Sequence, residues 1–414
     1  MQNRLDVELI VNNVISTVPI TDIHTHLFSE CFGELFLYGI DELLTYHYLV
    51  AEALRYNSID YQQFFDMNKE EQADFVWKVL FVNNTPISEP ARSIITILNK
   101  LGLDVNHKDL NYYRKFFKAQ KLSHYIGHIF EITRIKCLVM TNDPLDQIER
   151  NVWEKGWVKD SRFRAALRID GLLNTWENAF SQLRSFGYNV ERDLTETTIE
   201  EIKRFLIKWI EKMEALYCAV SLPPNFCMSD GSERVKLIEK CVLPVCKSKN
   251  IPFALMIGVK RAVNPELKLA GDSLAKTDIK ALEYLCSTYP KNKFLVTILS
   301  LENQHEFVVA ARKFRNLMPF GCWWYLNAPS LIESITKMRM EWLGLSFIPQ
   351  HSDCRVFEQL ISKWEHSKAV ISRVLVEKYN DLISMGYQLT EAEVKRDIEN
   401  LFGGKFWEFI NKEL

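Results

Sequence analysis

The chain is 414 residues long, about two to three times the usual single-domain size, so it is either two domains or one large architecture with insertions. Its 47% hydrophobic, 25% charged and 12% aromatic content is that of a globular protein and excludes a disordered chain. Lys and Arg number 51 against 53 Asp and Glu, a formal net charge of -2; no broad positive field exists for nucleic acid or an anionic membrane, and an anionic ligand must be met by a few local cations.

In chain order, residues 1–20 carry no continuous apolar stretch with a cleavage site, and no later apolar run is long enough to span a bilayer. Nine scattered cysteines, never spaced Cys-x-x-Cys, argue against a disulfide framework or a zinc ribbon. A soluble, cytoplasmic protein is expected. The first candidate strand is 18–23. Residues 29–130 read as all helical, with apolar stripes over 40–56, 69–82, 90–101 and 122–132. From 135 onward short apolar runs alternate with amphipathic segments, the rhythm of βα units around a parallel sheet. The candidate strands are 135–141, 163–168, 218–222, 252–257, 293–297, 317–322 and 345–349, each rich in Val, Ile, Leu or Phe as a strand buried on both faces should be. Helix 198–216 is the clearest, with Ile202, Phe205, Leu206, Trp209, Ile210 and Met213 at helical period and a capping box of Thr198 with Glu201. Eight strands predict an α/β fold, a (β/α)₈ TIM barrel made of 1–28 and 131–414, with 29–130 as a helical insertion covering the barrel mouth. Segment 390–414 reads as helical and either caps the barrel or joins subunits, which leaves a homo-oligomer open.

Thr21-Asp22-Ile23-His24-Thr25-His26 ends the first candidate strand. Residues i and i+2 of a strand share a face about 6.6 Å apart, so two imidazoles can converge on one metal ion. The competing reading is a pair of core or surface histidines. Asp22 either orients a ligand or bonds backbone. Asp353 leaves the last candidate strand, which in a closed barrel neighbours the first, and is the third ligand candidate. Its rival role is N-cap of a helix containing Val356 and Leu360.

These residues resemble the amidohydrolase superfamily and, within it, the uronate isomerase family. Asp41-Glu42-Leu43-Leu44-Thr45-Tyr46-His47-Tyr48 with Arg55 is similar to that family's Asp-His-Tyr helix, and Arg168-Ile169-Asp170 to its Arg-Pro-Asp. Thr297-Ile298-Leu299 with Asn303 resembles its strand-six segment. Gly321-Cys322-Trp323-Trp324-Tyr325-Leu326-Asn327, then Gly344 and Ser352-Asp353-Cys354-Arg355, resemble its last two signatures. The pieces run in order from end to end. Departures are Ile169 for Pro, Ser352 for Thr and a short chain, which suggest a divergent subgroup. Strands four and five, with Val220-Ser221-Leu222 and Phe253-Ala254-Leu255-Met256-Ile257, lack the ligands of a binuclear hydrolase, and His305 is expected on the helix after strand six.

The resemblance implies an aldose–ketose isomerase that interconverts D-glucuronate with D-fructuronate and D-galacturonate with D-tagaturonate, by metal-assisted proton transfer between C2 and C1. It implies one divalent ion, zinc with manganese as the alternative, on His24, His26 and Asp353, with a small acidic sugar chelating through its carboxylate and adjacent hydroxyl. Arg168 and Arg355 are the cations suited to that sugar; for Arg168 a salt bridge to Asp170 is the rival. Tyr48 serves as base if a cation favours tyrosinate, and His47, titrating near neutrality, suits ring opening or proton relay. Both could instead be core aromatics of a helix. Trp323 and Trp324 read as barrel packing or as a wall for the sugar. His107, His124, His128 and His366 read as structural. The alternatives are a mononuclear zinc hydrolase or decarboxylase with Asp353 as base, and a non-catalytic binding barrel.

Overall fold

The computed structural model describes residues 6–157 and 159–414; the opening residues 1–5 lie outside it. Its strands are β1 (Ile20–Thr25), β2 (Ile135–Asn142), β3 (Phe163–Arg168), β4 (Cys218–Leu222), β5 (Phe253–Ile257), β6 (Val259–Lys260), β7 (Ser273–Leu274), β8 (Phe294–Ile298) and β9 (Leu317–Pro319). Seven of them form one parallel sheet in the order β1-β2-β3-β4-β5-β8-β9. Parallel neighbours need long crossovers, and each step of this sheet is bridged by one or more helices or helical turns. β6 and β7 pair antiparallel, a hairpin between β5 and β8 that the sequence reading did not include. Seven parallel strands in chain order with helices between them make a TIM-like α/β fold.

The eighth barrel position differs from expectation. Residues 345–349 form no ladder; the single bridge is Phe320↔Ile348. The expected strand 317–322 likewise stops at Pro319. The segment nevertheless closes the ring. On one side Gly321 N donates to Ile348 O (2.8 Å), and on the other Asp353 N donates to His24 O (3.1 Å) and His26 N to Cys354 O (2.8 Å). In between, side chains take the amides a ladder would have used: Gln350 Oε1 accepts from His351 N, and Asp22 Oδ1 from Ser352 N. Asp353 itself adopts φ +53°, which ends any extended path.

Between Thr25 and Ile135 every regular element among the described residues is helical. The stripe expected over 40–56 is two helices, Ile40–Leu44 and His47–Arg55, broken by extended Tyr46 at ψ 136°. His47 and Tyr48 therefore open the second helix instead of lying within one. Helix Glu196–Met213 starts earlier than the sequence suggests: Thr195 caps it by accepting from Thr198 N, and Glu201 is spent on Asn189 N, so the Thr198–Glu201 box does not form.

One apolar cluster draws Ile23, Val139, Ala166, Ala219, Ala254, Leu295 and Met318 from the seven strands, and Phe406, Phe409 and Ile410 join it from the C-terminal helix Lys405–Asn411. That segment therefore caps the barrel. Trp407 Nε1 donates to Thr21 Oγ1 at the opening of β1, and the buried Lys293 ammonium donates to the carbonyl of Ile410. No helix among the described residues is long and apolar enough to cross a membrane.

Candidate active site

His24 is the buried penultimate residue of β1 and His26 follows just past the strand's end, while Asp353 arrives from the segment that closes the ring. One ligand atom from each lies within 4.8 Å of the others. Asp353 Oδ1 is 3.7 Å from His24 Nε2 and 3.3 Å from His26 Nε2. Burial, then the neighbouring His26, pushes His24 down to about 3, and burial with Arg355 and Arg168 holds His26 well below its ordinary value. Both rings are therefore neutral near pH 7, and these contacts are not ion pairs.

Donor arithmetic fixes which nitrogen carries each proton. The Tyr217 hydroxyl has one hydrogen and donates it to Ile23 O (2.7 Å), so at its 3.1 Å contact with His24 Nδ1 the ring must be the donor. Thr141 Oγ1 donates to Thr25 O (2.8 Å) and likewise receives the Nδ1 proton of His26 (3.0 Å). Both Nε2 atoms then present lone pairs toward Asp353 Oδ1. Neither His24 Nε2 nor Asp353 Oδ1 has a hydrogen-bond partner among the described residues. Converging acceptors buried without a donor repel one another, and a cation among them resolves this. The three residues fit a metal ion.

Asp22, the neighbour expected to orient a ligand or bond backbone, does the latter. It accepts from Ser352 N (3.0 Å) and Trp364 Nε1 (2.8 Å), pinning the closing segment to β1. Burial raises it to about 6 despite these bonds. Asp353 is not the N-cap of a helix: the next one begins at Gln359, whose Oε1 accepts from Arg355 N and Val356 N.

Arg168 realises its rival role: its Nε lies 3.1 Å from Asp170 Oδ2. Its charge still lowers both histidines. Arg355 forms no ion pair among the described residues, and its charge reaches His26, His47 and Tyr48. His47 and Tyr48 border the site with ring centroids 4.4 Å apart at 57°, and His47 meets the edge of Trp324 at 5.8 Å. The expectation that His47 titrates near neutrality is corrected: burial and Arg355 hold it at about 3, and its Nε2 is unpartnered. Burial, then the hydroxyl of Tyr46 and the charge of Asp353, pushes Tyr48 well above its ordinary value, with Arg355 opposing. The ion-free protein therefore keeps Tyr48 protonated. Trp323 is 3% exposed and belongs to the barrel core, whereas Trp324 lines a cavity of about 170 Å³ with Tyr46, Tyr48 and Tyr325.

Several residues escaped the sequence reading. Thr141 sits at the end of β2 beside β1, where a polar residue on a buried strand was a usable signal. Tyr217 precedes β4 and gave none. His351, buried with both nitrogens unpartnered, stands edge-on to His24 at 5.4 Å. It is accommodated because Gly321, at φ +64°, has no Cβ to collide with its ring. His305 is exposed on helix Gln304–Ala311, as expected. His366 is structural, bonded to Glu89 and Thr96.

No protein-family model and no curated protein matches the sequence. Among solved structures, a uronate isomerase from Bacillus halodurans is 50% identical with a TM-score of 0.97, covering 100% of this chain and 98% of that one. A uronate isomerase from Thermotoga maritima (TM-score 0.78, 16% identity, 98% and 97% covered) and a glucuronate isomerase from Caulobacter crescentus (0.77, 14%, 99% and 95%) share the fold. End-to-end agreement at half of all positions, on a structure that brings His24, His26 and Asp353 together, places the chain in the uronate isomerase family.

Proposed function

We propose that the chain interconverts D-glucuronate with D-fructuronate and D-galacturonate with D-tagaturonate, moving a proton between C2 and C1 through an enediol. The observation that carries this reading is the full-length 50% identity to the Bacillus halodurans uronate isomerase. His24, His26 and Asp353 would hold one divalent ion, zinc by the imidazole-rich set and manganese as the alternative. Bound there, the ion supplies positive charge and open positions for the sugar's oxygens.

The chain's own groups supply the rest. Arg355, without an acidic partner among the described residues, meets the developing negative charge, and Arg168 adds its field from behind the pair with Asp170. His47, neutral with Nε2 unpartnered, accepts a hydroxyl proton and returns it. Tyr48 moves the proton between the two carbons; its buried hydroxyl donates, and it becomes a base only when cationic charge offsets the cost of burial. Trp324 walls the sugar and excludes water. We assign the helical segment 29–130, which delivers His47 and Tyr48, the role of cover over the barrel mouth. Nine unpaired cysteines suit a cytosolic setting.

The test is to load the purified protein with zinc, supply glucuronate or galacturonate, and follow the ketose with a coupled NADH-dependent reductase. Ketose formation is expected; none from either uronate would sink the reading. Asp353→Asn is expected to lose both bound metal, by elemental analysis, and turnover.

A further inference from the structure

The mouth of the barrel carries a carboxylate that the sequence reading passed over. Side chains alternate along a strand, and on β2 Val139 joins the cluster that fills the barrel while Thr141 meets the His26 ring (3.0 Å). Asp143, next in that series just past the strand's end, continues the same interior face. On β3 Ala166 belongs to the same cluster, which puts Arg168 on the matching face. The register Thr141↔Ala166 and Asn142↔Leu167 then brings Asp143 level with Arg168, at the strand ends where such barrels hold their sites.

The turn that presents Asp143 is built before any ligand arrives. Glu149 Oε2 accepts from Asn142 Nδ2 (3.0 Å) and from Asp143 N (3.0 Å), and Asp143 Oδ1 accepts from Leu145 N (2.9 Å). The other carboxylate oxygen, Oδ2, has no hydrogen-bond partner among the described residues, and the side chain is only half-buried. Arg168 gives Nε and Nη2 to Asp170 (3.1 and 3.3 Å) and keeps Nη1 without a partner among those residues. The charges of Asp143 and Arg168 favour each other, yet no ion pair joins them.

An acceptor-only oxygen beside a donor-only nitrogen is the combination that grips a sugar hydroxyl, which both donates and accepts. A carboxylate repels the uronate's own carboxylate, so this side of the mouth takes the neutral part of the sugar and leaves the anionic end to the ion. With the C5 hydroxyl chelating beside the carboxylate, and C1 and C2 reacting, the hydroxyls at C3 and C4 remain. We propose that Asp143 binds one of these two hydroxyls, with Arg168 Nη1 donating to the same oxygen, and thereby sets which end of the sugar meets the ion. This rests on the isomerase reading above and deepens it.

Asp143→Asn keeps an Oδ1 for Leu145 N and the shape of the side chain, but puts an NH₂ where Oδ2 was. In the zinc-loaded variant KM for glucuronate, galacturonate or both is expected to rise about 10–100-fold, as removal of a hydrogen bond to a charged group does, with a smaller fall in kcat. A rise for both points to the C3 hydroxyl, whose configuration the two sugars share, and a rise for one to C4, where they differ. Zinc content and melting temperature are expected to match the wild type, because neither the ligands nor the turn is touched. A role confined to the turn would leave both KM values unmoved, and that result in a folded, active Asp143→Asn would overturn the assignment alone. A wild type that isomerises neither uronate would overturn the functional reading and the assignment with it. If Asp143→Asn does not fold, Asp143→Ser, whose hydroxyl also accepts from the Leu145 amide, decides by the same comparison of KM.

Discussion

Tyr217 and Thr141 hold the two imidazoles by the same device, a hydroxyl that gives its hydrogen to a β1 carbonyl and takes the Nδ1 proton of the ring beside it. Groups behind a metal ligand set its tautomer and orientation, and their loss commonly costs about 10–100-fold in metal affinity. Tyr217→Phe keeps the apolar body of a residue 1% exposed and removes only the hydroxyl. Zinc affinity, measured by chelator competition, is expected to fall about 10–100-fold while the fold persists. Unchanged affinity would mean that the strand alone orients His24.

Glu358 joins the helical segment to the barrel, because its Oε1 accepts from Gly39 N (3.0 Å) and from the Tyr125 hydroxyl (2.9 Å). Burial raises it from 4.5 to about 7, so the folded protein keeps a proton that the unfolded chain releases. The resulting contribution to stability is full below about pH 4.5 and is lost as pH rises through about 7. Glu358→Gln keeps an oxygen acceptor and cannot ionise. In urea denaturation the variant is expected to gain on the wild type steadily between pH 4.5 and 7, and a difference independent of pH would contradict the buried proton. The break at Tyr46 belongs with this junction: by splitting the helix it brings His47 and Tyr48 to the start of a new one, against Trp324.

The barrel is closed differently at its two ends. At the end that carries the candidate site a strandless segment supplies Asp353 and accepts bonds from both neighbours. At the other, helix Lys405–Asn411 seats Phe406 and Phe409, 0% and 3% exposed, in the cluster that fills the sheet. Close contact of Gly403 with Thr21, at φ +157°, lets the helix approach β1. Phe406→Ala should cost about 3–5 kcal/mol of stability, read by denaturant unfolding, while metal content of the folded fraction is retained. A cost near zero would mean that the plug does not support the barrel.

The βα rhythm, the His24-x-His26 pair and the helical character of 29–130 were legible along the chain because hydrophobic period and local spacing are properties of neighbours in sequence. Six of the eight expected barrel strands appear nearly where apolar runs placed them, and β1 runs two residues later because its first positions cap helix Val7–Thr17. Segment 345–349 was misjudged because only Ile348 pairs with the neighbouring strand and the amides just beyond, of His351 and Ser352, go to Gln350 and Asp22, partners that periodicity does not reveal. The pairing of Arg168 with Asp170 was legible as one of two alternatives, but which alternative holds, and the depressed titration of His47, could not be read. They depend on burial and on charges brought close by the fold, and a pKa is set by that surrounding, not by residue type. Residue identity thus named the candidate ligands, whereas the three-dimensional packing decided their tautomers and their protons.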